Sequence, residues 1–241
     1  MSELNRFYDA IAELRLVCGG ERRLATCDGH MGWPQRGVYF FFEPGEVRRN
    51  GEPRIVRVGT HALTTRSGTT LWNRLSQHRG TVGGRRPGAG NHRGSVFRLH
   101  VGQCLVARDG DPHGVADTWG VGSNASSAIR EREAPHERAV SAHIGRMPFL
   151  WLDVPDEPGP TSDRAAIEMG VIALLSQRTN PEADPPTSEW LGSWSSRETI
   201  RTSGLWNVRH VDVAPTEICE LIERYLGAMS ARTGQLVRRR P

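Results

Sequence analysis

A tyrosine, two arginines and a histidine are spaced so that they could act together on one anion. Tyr39 lies in Gly37-Val38-Tyr39-Phe40-Phe41-Phe42, an apolar run that reads as a strand. Arg57 lies in Arg54-Ile55-Val56-Arg57-Val58-Gly59, which reads as a second strand. Arg74 and His78 fall four positions apart in a helix over 70–78, and that spacing puts them on one face. Phosphate suits such a set. A guanidinium is permanently charged and forks onto two oxygens, while a phenol or imidazole orients a water or takes its proton. A phenol's reference pKa is about 10, so Tyr39 works as a base only beside a cation, which Arg57 would supply. The plainer alternatives are an ordinary strand aromatic and a solvated helix face.

Positioning these residues is the task of the surrounding elements. Leu4, Phe7, Ile11, Leu14 and Leu16 recur at a near-helical period and predict a packing helix over 3–17. Asn50-Gly51 is a hairpin signal that pairs strands 37–43 and 54–59 antiparallel. Residues 95–101 alternate apolar and polar and predict a third strand, and 148–154 predict a fourth. Residues 127–144 read as a charged helix. Thr161-Ser162-Asp163 caps a further helix over 164–177, with a stripe at Ile167, Val171, Leu174 and Leu175. A last helix spans 216–229. The expected fold is α/β (α+β), a small mixed or antiparallel sheet flanked by helices. It is expected as one domain: a packing segment over 1–30, a core over 31–180 with insertions, and an extension over 181–241 carrying Trp190, Trp194 and Trp206.

Composition narrows the chemistry. The formal net charge is +4, a mild basic excess, and all 31 basic residues are arginine. Without lysine, a P-loop, a Schiff-base enzyme and nucleases built on two acids and a lysine are excluded. The four cysteines form no CxxC pair, which argues for reduced thiols rather than structural zinc. His136, Glu137 and His143 lack an evident third metal ligand and read as a charged solvent face. The N-terminus has no signal-peptide core and no apolar run approaches a membrane span, so a cytoplasmic protein is expected. The Gly-rich stretch 79–94 carries Arg79, Arg85, Arg86, His92 and Arg93. It reads as a loop that wraps a nucleic-acid backbone, or as a surface loop of incidental charge.

Taken together, Gly37-Val38-Tyr39, Arg57-Val58-Gly59, Arg74 and His78 resemble the motifs of the GIY-YIG nuclease family, in its restriction-enzyme-like branch. The first tripeptide stands where the family has its first motif and the second where it has its second, with Arg57 in place of that motif's tyrosine. The resemblance extends over residues 37–180 to Glu168, in the position of the family's metal-binding glutamate, and to Asn180, in that of its asparagine. It implies a Mg²⁺- or Mn²⁺-dependent endonuclease acting on DNA, with RNA not excluded. In that reading Glu168 holds the metal, and Tyr39, with His78 or His61, orients or deprotonates the water. Arg74 grips the phosphate and Asn180 positions a backbone or phosphate group. One carboxylate suffices, because magnesium keeps most of its waters. Glu168 could instead pair with Arg164 one turn earlier, and Asn180 could simply end its helix. The rival functions are a nucleic-acid-binding module of the same fold that has lost cleavage, and a protein-interaction domain.

Overall fold

The computed structural model describes residues 2–81 and 88–238. Four antiparallel strands form one sheet in the order β1-β4-β2-β3: β1 (Arg22–Arg23), β2 (Gly37–Val47), β3 (Pro53–Gly59) and β4 (Pro148–Asp153). Seven helices are described: α1 (Glu3–Val17), α2 (Leu71–Arg79), α3 (Val96–Asp109), α4 (Ser127–Arg146), α5 (Asp163–Leu175), α6 (Glu198–Ser203) and α7 (Cys219–Arg238). None of them is long and apolar enough to cross a membrane.

The alternation within β2 decides which helix lies on which side. Val38, Phe40 and Phe42 face one core, shared with Phe7 and Ile11 of α1, Ile167 and Val171 of α5, and Ile222 of α7. Tyr39 and Phe41 face the other, shared with Leu71 and Leu75 of α2, Phe97 and Val101 of α3, and Val140 of α4. Successive side chains of a strand point to opposite faces, so both cores follow from one apolar run. The β2–β3 hairpin closes at Asn50-Gly51 as expected. The Gly51 amide donates to the Arg48 carbonyl at 2.9 Å, and Gly51 takes the left-handed φ of 87° that this turn favours.

Residues 95–101 do not form the expected strand; they begin α3. Ser95 caps this helix by accepting from the Arg98 amide at 3.3 Å. Phe97, Val101, Cys104 and Leu105 then recur on one buried face. The apparent alternation was misleading because its polar members, Arg98 and His100, are themselves buried. The outer face expected for α4 is also corrected. Glu133, His136 and Glu137 are buried: Arg93 reaches Glu133 and Arg98 reaches Glu137 from outside the helix, while His136 Nε2 meets Gly102 O of α3 at 3.0 Å.

Trp190 and Trp206 pack against the sheet around one shared acid. Glu43 Oε2 accepts from the indole N–H groups of Trp190 (3.0 Å) and Trp206 (2.9 Å). The chain then runs along the free edge of β3. The Trp206 amide donates to Val56 O at 2.8 Å, and the Asn207 side chain brackets Val58, accepting from its N–H and donating to its carbonyl. This edge pairing carries residues 207–210 to the end of the sheet where β3 stops.

Candidate active site

A cleft of about 310 Å³ opens where β3 ends, between the helices of the two faces. Arg57 enters from β3, Arg74 from α2 and Glu168 from α5, and Asn207, Arg209 and His210 close it from the C-terminal segment. Three of the residues anticipated from the sequence therefore share one concavity.

Glu168 is half-buried. Its Oε1 accepts from the Thr60 amide at 3.2 Å, and it makes no ion pair among the described residues. The pairing with Arg164 does not form, since Arg164 is turned to Asp156 and to the His61 carbonyl. Burial holds the Glu168 carboxyl above its ordinary range, opposed by the nearby charge of Arg57, the Thr60 amide, and the charges of Arg74 and Arg209.

Arg57 is the hub. It is 7% exposed, donates to Trp206 O at 2.9 Å and sits over the Phe97 ring. Burial lowers its pKa, while Tyr39 and Glu168 favour its charge. Its Nε has no hydrogen-bond partner among the described residues, an orphan donor at the cleft wall.

Tyr39 lies one layer deeper and is fully buried. Its hydroxyl meets His78 Nε2 at 2.8 Å, and His78 Nδ1 meets Ser95 Oγ at 2.8 Å. Burial, then Arg74, Arg57 and Arg98, push the His78 pKa well below its ordinary value, so the imidazole is neutral near pH 7. Gly59 makes room for this arrangement, because a Cβ there would overlap the Tyr39 hydroxyl and ring. Gly59→Ala is accordingly expected to cost about 1–3 kcal/mol by overpacking. A lowered urea midpoint checks this; an unchanged midpoint would show that the ring can move aside.

The remaining candidates are placed elsewhere. Asn180 is not in the cleft: its amide donates to Leu174 O at 2.6 Å and its carbonyl oxygen accepts from the Glu182 amide, which ends α5. His61 is buried beside Gln35 O, and burial with the charge of Arg164 lowers its pKa to about 4. The side chains expected to wrap a phosphate backbone are engaged within the protein where they are described. Arg79 donates to Cys27 O and lies over the Trp72 ring. His92 is bonded to Glu137 and stacked on Trp119, and Arg93 is paired with Glu133. These side chains are drawn inward by carboxylates on α4 and by backbone. Arg85 and Arg86 lie outside the described residues. Reading the sequence missed Ser95, Asn207, Arg209 and His210; only the Trp-rich stretch before 207 hinted that this segment packs on the core.

His61, His78 and His100 are all kept neutral by burial, His61 and His100 with pKa values lowered to about 4. Below pH 6.5, their ordinary value, the unfolded chain binds protons that the folded chain refuses. Their contribution to stability is complete above pH 6.5 and is lost as the pH falls toward 4. The slope is up to about 1.4 kcal/mol per pH unit for each histidine. Urea unfolding at pH 7.5, 6 and 5 should show a falling midpoint; a flat profile would contradict the assignment.

Among comparisons with known proteins, a family model described as GIY-YIG domain matches residues 1–231. No curated protein matches the chain, and no solved structure matches it.

Proposed function

The chain belongs to the GIY-YIG nuclease family, and on that premise we propose that it is a divalent-metal-dependent DNA endonuclease whose reaction centre is the cleft at the end of β3. The observation that carries this reading is the charge pattern. Arg57, Arg74 and Arg209 face the cleft without an ion pair among the described residues, around a single half-buried carboxylate. Such a site draws in a phosphate and a cation together.

Glu168 fits the metal-binding role. Its carboxylate has no ion-pair partner among the described residues and is held above its usual range, so a divalent cation relieves the cost of its burial. Among the described residues no group of three or more His, Cys, Asp or Glu side chains is placed to hold a metal ion. A lone carboxylate suits Mg²⁺ or Mn²⁺ held mostly by water and substrate oxygens. When bound, the ion supplies positive charge to the phosphoryl and leaving oxygens.

This chain's own residues do the rest. Arg74 forks onto the non-bridging oxygens of the scissile phosphate. Neutral His78 gives Nδ1–H to Ser95 Oγ, leaving the Nε2 lone pair to accept the Tyr39 proton. Tyr39 then takes a proton from the attacking water as the phenolic one moves to His78, the charge of the bound phosphate offsetting the arginines that otherwise keep the ring neutral. For the phenol oxygen to meet the water, the Arg57 guanidinium must move aside, onto the phosphate. Arg57 stands where the family has its second tyrosine.

The complete burial of Tyr39 favours one other reading, a nucleic-acid-binding module that does not cleave. Fluorescently labelled duplex DNA, single-stranded DNA and RNA, each incubated with Mg²⁺, Mn²⁺ or EDTA, separate the two. The nuclease reading expects metal-dependent cutting of DNA. Salt-sensitive binding with no cutting under any metal would establish the module instead.

A further inference from the structure

A second hollow, of about 440 Å³, adjoins the cleft. Leu63, Glu168, Arg209 and His210 border both, so the two spaces share a wall. The far side of the second hollow is formed by Pro160 and by Ala165, Ala166 and Met169 of α5. Met169 follows Glu168 directly and is 38% exposed, a large apolar side chain left open to solvent. Arg209 is exposed, and among the described residues no hydrogen bond or ion pair holds its guanidinium. His210, next to it, has φ 65°, a left-handed conformation uncommon outside glycine, at the bend that brings both residues to the shared wall.

We propose that the second hollow is the subsite for the nucleotide adjoining the scissile phosphate, with Arg209 on that nucleotide's phosphate. The inference rests on the nuclease reading above. A polynucleotide held at Arg57 and Arg74 continues out of the cleft, and its next phosphate follows one nucleotide further on. The space across the shared wall offers an unengaged guanidinium at its rim and an apolar face beyond. A guanidinium suits a phosphate diester. The alanine and methionine face suits a sugar and the flat of a base, which stack without reading base identity. The volume falls within the roughly 300–1,000 Å³ usual for small-ligand pockets. The subsite therefore fixes the register of the strand and adds little to sequence choice.

Methylphosphonate scanning tests this. The cut position is mapped with Mg²⁺ on a labelled duplex. Duplexes are then made with one neutral methylphosphonate at each phosphate near that point, and binding is measured by anisotropy in EDTA. For the unaltered protein, neutralising the phosphate flanking the scissile one is expected to weaken binding about tenfold. In Arg209→Ala the same replacement should cost less than twofold, because the contact is already gone, while the other positions keep their effects. Met169→Glu, an exposed substitution that leaves the core alone, should weaken binding and move or blur the cut position. A flanking-phosphate penalty that persists in Arg209→Ala, or is absent from the unaltered protein, overturns the subsite and leaves the nuclease reading standing. Failure of the unaltered protein to bind DNA at all overturns both.

Discussion

Glu168→Gln is expected to lower turnover by roughly 10³-fold while leaving the fold and DNA binding in EDTA intact. The size follows from what the carboxylate does in the proposed site. A metal's stabilisation of phosphoryl charge amounts to several kcal/mol, and each 1.36 kcal/mol is about tenfold in rate. Glutamine keeps the shape and can still accept the Thr60 amide, but it gives the cation no charge. Folding stability should hold or rise, because burial already disfavours the ionised form of Glu168. Single-turnover cleavage across a Mg²⁺ titration, with urea unfolding of the same variant, checks both halves. Loss of cutting accompanied by a large loss of stability would point to a structural carboxylate instead.

Tyr39→Phe is the second large effect, an expected loss of roughly 10²–10⁴-fold in kcat, the usual range for positioned proton transfer. KM should change little, because the fully buried phenol contributes nothing to the cleft wall. The ring still fills the space between Phe41 and Gly59, so the change removes only the hydroxyl and its 2.8 Å bond to His78. That bond is worth about 1 kcal/mol of stability. His78→Ala should lower kcat as well, and the double variant should be no worse than Tyr39→Phe alone if the two residues move one proton. Additive losses would mean that they act separately. Rates unaffected by Tyr39→Phe would move the base elsewhere and leave Arg57 and Glu168 as the working pair.

The parts of the fold that short stretches of sequence encode were legible. The apolar run 37–42, the Asn50-Gly51 turn and the Ile167 stripe each carry their own period, and each forms the expected element. The sequence left either His78 or His61 beside Tyr39; the structure puts His78 there, 2.8 Å from the hydroxyl. What escaped is what depends on distant partners. Arg98 and His100 look like the outward residues of a strand until Glu137, some forty positions later, pulls Arg98 inward and α3 forms. Arg79, His92 and Arg93 look like a basic surface loop for the same reason. Asn180 has the spacing of a site residue, yet its amide is spent on the end of α5. The 207–210 segment reaches the cleft only because Trp206 and Asn207 pair with the edge of β3, a register that local sequence does not reveal.

In the proposed endonuclease one cleft, built around Glu168 and three arginines without ion pairs among the described residues, hydrolyses DNA with the help of a divalent ion. Supercoiled plasmid tests it most directly, incubated with the unaltered protein and with Glu168→Gln, each in Mg²⁺ and in EDTA. Conversion to nicked or linear DNA is expected only for the unaltered protein in Mg²⁺. Cutting that survives EDTA, or that Glu168→Gln carries out at the full rate, would contradict the account.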